Sequence, residues 1–157
     1  MKSKVYIETS IPSYLCARIS KNLLVAANQE ITHEWWERCK DKFDLVISEI
    51  VVREVSAGHP EVAKRRLSKI EKYPKIAITD EVGDLAQILI NEVPIPKKSE
   101  LDAFHIAVTA INGIEYLLTW NCKHIANAVL RPKINKICRK FGCEPPIICT
   151  PQELMEV

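Results

Sequence analysis

The chain lacks most of the features that announce a specialised class. No run of about eighteen apolar residues occurs, so nothing in it reads as a bilayer-spanning helix. The start, MKSKVYIETS, has no apolar stretch followed by a small-residue cleavage site, and the expectation is a cytoplasmic protein without a membrane partner. Six cysteines are present (Cys16, Cys39, Cys122, Cys138, Cys143, Cys149), but none forms a CxxC pair or the tight Cys/His spacing of a zinc site. They read as buried thiols in a reducing compartment, with Cys138 and Cys143 the pair that an oxidising setting would bridge. The net charge is only +2, so any attraction for nucleic acid must be local. There is no internal repeat, low-complexity run or linker, and 157 residues at 47% hydrophobic content suit one domain, 1–157.

What is present is an alternation of strand-like and helix-like segments. Lys4 to Glu8 reads as a strand, followed by helix-start chemistry at Thr9, Ser10 and Pro12 and a short helix around Tyr14 to Ile19. A helix over about Leu23 to Lys42 carries Trp35, Trp36 and Cys39 among its apolar positions. Phe43 to Ser48 is a second strand, and a helix through Val55 stops near Gly58 and Pro60. Pro60 to Lys72 follows, with Ala63, Leu67 and Ile70 on one face. Lys75 to Thr79 is a third strand, and Asp80 can cap the next helix, which VPIPKKS interrupts. Then come a helix over Ser99 to Asn112, a strand over Ile114 to Thr119, a long helix over Lys123 to Lys140 with a kink at Pro132, and a fifth strand over Pro146 to Cys149. Such alternation implies right-handed crossovers and a parallel sheet covered on both faces.

Three of these segments end in an acid or amide. Val5 to Ile7 leads to Glu8, Leu45 to Ser48 to a helix carrying Glu54, and Tyr116 to Thr119 to Asn121. In open parallel sheets, ligands bind just outside the carboxyl ends of the strands, where strand order reverses. A carboxylate cluster there is a hard-cation site. The Ser99 helix adds Asp102. It is apolar around most of its circumference, and one polar stripe remains: Asp102, His105, Thr109 and Asn112. Ser99-x-x-Asp102 is also a capping-box-like start, so this helix alone leaves capping and site readings both open. Taken alone, Asn121 reads as a helix N-cap rather than a ligand, Glu54 as a solvated helix acid, and His105 and His124 as structural or rim residues.

The segments YIETSIPSYL, ISEIVVREV and SELDAFHIAVTAINGIEYLLTWNCKHI, in that order, resemble the PIN-domain nucleases, in particular the VapC-type toxins of type II toxin–antitoxin pairs. The resemblance implies a three-layer α/β/α sandwich with a five-stranded parallel sheet, and a Mg²⁺- or Mn²⁺-dependent endoribonuclease. Its acids fall on Glu8, Glu54 and Asp102, with Asn121 at a fourth position. Hydroxyls near the first acid and at the end of the fourth strand fall on Ser10 and Thr119. Metal would sit on Glu8 and Asp102, with Glu54 as third ligand or as acceptor of a proton from the attacking water. The products would carry a 5′-phosphate and a 3′-hydroxyl. A homodimer and a small antitoxin are the implied partners, and the helix carrying Trp35 and Trp36 is a candidate docking face.

Two departures from the family pattern bear on activity. Glu8 stands where Asp is usual and reaches about 1.5 Å further by ordinary bond lengths. Asn121 brings an amide and no charge where Asp is frequent. They motivate the alternative of a catalytically weakened RNA- or protein-binding module. A phospho-receiver domain also places acids at strand ends, but it expects a lysine after its last strand, which ICTPQEL does not supply. Candidate substrate contacts are Lys123, beside Asn121, and two basic groups: Lys64, Arg65, Arg66, Lys69 and Lys72, then Arg131, Lys133, Lys136, Arg139 and Lys140.

Overall fold

A computed structural model describes residues 1–155. Five parallel strands form its sheet: β1 (Lys4–Ile7), β2 (Asp44–Ser48), β3 (Lys75–Ile76), β4 (Tyr116–Leu118) and β5 (Ile147–Cys149), in the spatial order β3-β2-β1-β4-β5. The seven α-helices are α1 (Ser10–Cys16), α2 (Leu23–Arg38), α3 (Glu49–Val55), α4 (Pro60–Ile70), α5 (Asp80–Glu92), α6 (Glu100–Ile111) and α7 (Arg131–Phe141). This is the α/β/α, PIN-like arrangement expected from the sequence. Consecutive residues Val5, Tyr6 and Ile7 of the central strand are each fully buried, which requires cover on both faces of the sheet. Each large aliphatic buried in this way contributes about 1.5–3 kcal/mol.

The topology fixes where a site can form. From β1 the chain builds outward through β2 and β3, then crosses to β4 on the other side of β1. Strand order therefore reverses between β1 and β4, and the crevice outside their carboxyl ends is the switch point. Ile7 is in register with Leu118, so Glu8 and Thr119 emerge side by side at that crevice. The Glu8 amide donates to Leu118 O at 3.1 Å and extends the pairing to the edge.

Several elements differ from the sequence reading, each for a local reason. The long helix expected over Lys123 to Lys140 is confined to α7, because proline lacks an N–H and restricts the residue before it. Pro132 sits in the first turn of α7, where that missing donor costs nothing. Residues 121–130 instead form successive turns: Asn121 O accepts from Ile125 N and Ala126 N, while Asn127 Oδ1 accepts from Val129 N and Leu130 N. The strand expected to Thr79 ends at Ile76, and the Ile78 amide turns to Glu49 Oε2 at 3.3 Å. Thr79, not Asp80, caps α5 by accepting from Val82 N, and Asp80 instead lies in the first turn, where its charge suits the helix dipole. The first helix begins at Ser10, four residues before the expected start at Tyr14.

Trp35 and Trp36 are both buried, at 0% and 8% exposure, which removes them as a docking face. They belong to the core under α2, Trp35 stacking on Phe43 at 6.0 Å. The exposed apolar side chains of that region are Ile19, Leu23 and Leu24. No helix among the described residues is long and apolar enough to cross a membrane.

All six cysteines are free thiols, including Cys138 and Cys143. Burial pushes Cys138 up to about 11 and Cys149 up to about 12, so little thiolate forms at either near neutrality. Cys122 is exposed. In the folded protein iodoacetamide at pH 8 should therefore modify Cys122 first and leave Cys138 and Cys149 unreacted until denaturant is added, as read by mass spectrometry of timed digests.

Candidate active site at the β1/β4 crevice

Glu8 is the innermost acid, 5% exposed, and its carboxylate is almost fully engaged. Oε1 accepts from the hydroxyls of Ser10 and Thr119, both at 2.5 Å, and Oε2 accepts from the Ser10 amide at 3.1 Å. Ser10 Oγ in turn accepts from Trp120 N at 2.8 Å, and Thr119 Oγ1 accepts from Asn121 N at 2.9 Å. Three donors on one buried carboxylate pin its orientation. The two hydroxyl residues picked from the sequence thus lie against the first acid, one from each side of the crevice.

Glu54 reaches the same place from the last turn of α3. That helix starts at Ser48, whose Oγ accepts from Ile50 N and Val51 N, so the end of β2 sets the helix direction. Glu54 Oε1 accepts from Thr9 Oγ1 at 2.8 Å and lies 2.5 Å from His105 Nε2. Burial raises the Glu54 carboxyl, but the His105 hydrogen bond and charge, with the Thr9 hydroxyl, outweigh it and hold the group below the usual carboxylate range. His105, fully buried on α6, is disfavoured as a cation by burial, yet the Glu54 hydrogen bond and the charges of Glu8, Glu54 and Asp102 carry it above the usual imidazole value. Its other nitrogen, Nδ1, is 2.7 Å from the Tyr6 hydroxyl. Ligand atoms of Glu8, Glu54 and His105 all lie within 4.8 Å of one another.

Asp102 stands one turn before His105 on α6 and acts on it through its charge. The capping box does not form: Ser99 makes no side-chain cap hydrogen bond, and Asp102 Oδ2 lies 2.9 Å from His124 Nδ1 instead. His124 comes from the turns after β4, where its amide donates to Asn121 Oδ1 at 3.0 Å. The side-chain oxygen of Asn121 is thus occupied in holding that turn, in the manner of an N-cap. Lys123 is exposed on the same loop. Hydrogen bonds therefore run from Glu8 through Thr119, Asn121 and His124 to Asp102, tying the β4 loop to both of these acids.

From the sequence alone His105 and His124 read as structural or rim residues, yet each contacts a candidate acid. Thr9 reads there only as helix-start chemistry, and Tyr6 only as part of the first strand. For His105 a signal existed, since it shares the polar stripe of an otherwise apolar helix with Asp102. The other contacts join positions far apart in the chain. Of the two basic groups, Arg66 turns inward to donate to Ala57 O at 2.7 Å and Arg139 pairs with Glu144 at 3.0 Å.

No protein-family model matches this chain, and no curated protein matches it. Solved structures do. One is VapC20 of Mycobacterium tuberculosis, a Sarcin-Ricin loop cleaving toxin, at TM-score 0.61 and 15% identity, covering 79% of this chain and 95% of that one. Another is VapBC2 from Rickettsia felis bound to a DNA fragment from their promoter, at TM-score 0.54 and 16% identity, covering 94% of this chain and 98% of that one. The fold is that of the VapC-type PIN domains. At such identities a shared fold carries no residue roles with it, so the chemistry of the PIN-like crevice has to come from its own side chains.

The donor set suits a hard divalent cation. Carboxylate oxygens of Glu8 and Glu54 converge, Asp102 is close enough to influence His105, and no thiol takes part. Glu54 Oε2 and Asp102 Oδ1 take no hydrogen bond among the described residues and lie on partly exposed side chains.

Proposed function

We propose that the chain is a metal-dependent endoribonuclease, a single PIN-like domain acting as the toxin of a toxin–antitoxin pair. The observation that carries this reading is the convergence of Glu8, Glu54 and His105 at the β1/β4 switch point, with Asp102 beside them. VapC20, a Sarcin-Ricin loop cleaving toxin that shares the fold, supports the same class of activity. In this reading Glu8, Glu54 and Asp102 hold Mg²⁺ or Mn²⁺, and Asn121 shapes the loop that completes the site. Bound there, such a cation would supply Lewis acidity to activate a water and positive charge to offset that building on the scissile phosphate. Ser10 and Thr119 fix Glu8, Thr9 and His105 fix Glu54, and His124 fixes Asp102, so the acids are oriented before substrate arrives. Hydrolysis adds the water oxygen to phosphorus and breaks the P–O3′ bond, with the proton passing to the leaving 3′-oxygen.

A homodimer, a small antitoxin and a cytoplasmic location belong to the same proposal. Induction of the chain alone should arrest bacterial growth within one or two doublings, and Asp102→Ala should relieve the arrest at equal protein level. Arrest that persists in Asp102→Ala would count against a nuclease toxin.

Lys123 is the candidate RNA contact, exposed on the loop between Asn121 and His124. A lysine that meets only phosphate supplies affinity without sequence preference. Replacing Lys123 by Ala should weaken RNA binding similarly for unrelated sequences and lower the slope of log K against log salt by about one, measured by fluorescence anisotropy with Ca²⁺ in place of Mg²⁺.

A further inference from the structure

We infer that His105 is the positioning residue that presents Glu54 to the metal site, donating from Nε2 to Glu54 Oε1, and is not itself a ligand of the cation. The inference rests on the nuclease reading for its chemistry and on a buried hydrogen-bond chain for its geometry. Both ring nitrogens of His105 are already engaged, Nδ1 with Tyr6 Oη at 2.7 Å and Nε2 with Glu54 Oε1 at 2.5 Å, and the side chain is fully buried. A histidine ligand needs one nitrogen with its lone pair facing the metal, and here neither is available.

The direction of the chain follows from counting protons. Ser48 Oγ accepts two backbone N–H groups, from Ile50 and Val51, so its single proton is directed to its remaining partner, Tyr6 Oη, at 2.8 Å. The Tyr6 hydroxyl, receiving the Ser48 proton, directs its own to its other partner, His105 Nδ1, at 2.7 Å. The hydrogen of the neutral ring then sits on Nε2 and points at Glu54. Glu54 Oε1 then receives two donors, His105 and Thr9, and Oε2 is the oxygen offered to the crevice.

This chain anchors α3 at both ends. Ser48 caps its first turn, Glu54 lies in its last, and Tyr6 and His105 join the two through the interior. A seven-residue helix has little intrinsic persistence, so its direction must come from such anchors. Loss of the imidazole would leave the Tyr6 hydroxyl buried without an acceptor and Glu54 Oε1 with Thr9 alone.

The test is Mn²⁺ bound to the full chain, studied by pulsed EPR and calorimetry in the wild type, His105→Gln and His105→Leu. A glutamine amide N–H can replace Nε2–H, whereas leucine cannot. The expected result is no ¹⁴N coupling that depends on His105 and a Mn²⁺ Kd in His105→Gln within about threefold of wild type. His105→Leu should bind Mn²⁺ at least about tenfold more weakly and lower kcat by about 10²-fold, with the KM for RNA unchanged. An imidazole coupling in the wild type that vanishes in His105→Gln would overturn the inference, as would unchanged Mn²⁺ affinity and kcat in His105→Leu. The wild-type spectrum decides the ligand question even if a variant fails to fold. Should the wild type bind no Mn²⁺ and cleave no RNA, the nuclease reading falls, and ¹⁵N NMR of the imidazole still reads the hydrogen bond. A slowly exchanging Nε2–H that shifts in Glu54→Gln supports the donor role, and a bare Nε2 refutes it.

Discussion

Asp102→Asn should lower Mg²⁺-dependent RNA cleavage by about 10²–10³-fold while leaving the fold intact. The substitution keeps the size of the side chain and an oxygen able to face His124, but it removes a negative charge beside the Glu8, Glu54 and His105 cluster. With Asn121 already an amide, the site relies on at most three carboxylates, so losing one removes a large share of the charge that holds a divalent cation. A metal site supplies several kcal/mol of transition-state stabilisation, and each 1.4 kcal/mol is a factor of ten in rate. The loss should appear in kcat and in the Mg²⁺ concentration giving half-maximal rate. Circular dichroism and the urea midpoint should move little, since Asp102 is not part of the core.

Trp35→Ala should produce the largest loss of stability, about 3–5 kcal/mol, the range for truncating a buried aromatic. Trp35 is fully buried, packs against Trp36 and Phe43, and donates from Nε1 to Leu154 O at 3.3 Å. Its removal leaves a cavity between α2 and the sheet and an unpaired carbonyl near the end of the described chain. Against a total stability of about 5–15 kcal/mol, such a loss brings the protein close to unfolding. Trp35→Phe keeps most of the apolar volume and should cost much less. Urea unfolding followed by far-UV circular dichroism distinguishes the two, and similar midpoints for Ala and Phe would show that the ring does not fill the space.

How much could be read from the sequence depends on how local the cause is. The strand–helix alternation was legible because a strand such as Val5–Ile7, apolar at every position, has to be covered on both faces. The end of α7 was legible and its start was not. Lys123 to Lys140 has helix-like composition, while the turns over 121–130 depend on Asn127 Oδ1 and on Ile125 entering the core, which are properties of the assembled fold. The capping box at Ser99 looked sound as a local pattern, but Asp102 is drawn to His124, twenty-two residues away.

The candidate site shows the same division. Acids just past strand ends are visible in one dimension, and Glu8, Glu54 and Asp102 follow from strand ends, a buried helix and the PIN resemblance. Ser10 and Thr119 come with that resemblance, but the other groups that orient the acids are not visible there, because each pair is distant in sequence: His105 and Glu54 are 51 residues apart, Tyr6 and His105 are 99, and His124 and Asp102 are 22. Only the sheet order, which sets β1 between β2 and β4, brings them together. Thr9 and Tyr6 flank Glu8 in the chain yet serve a different acid, since one approaches Glu54 directly and the other through His105.

Glu8, where the PIN resemblance leads one to expect Asp, also takes on a physical form. The longer side chain is folded back onto its own loop by Ser10 and clamped from β4 by Thr119. Those three hydrogen bonds offset the added rotamer freedom of glutamate, which costs up to about 2 kcal/mol to freeze. The carboxylate is thereby held at the switch point.

Hydrolysis of RNA at this crevice with the help of a divalent cation is tested by incubating the purified wild-type chain and Asp102→Asn with total RNA, with Mg²⁺ or with EDTA, and mapping the new ends. Internal cuts bearing 5′-phosphate and 3′-hydroxyl ends are expected with the wild type and Mg²⁺, and none with EDTA or Asp102→Asn. Intact RNA in every wild-type sample, or the same cuts persisting in EDTA and in Asp102→Asn, would contradict it.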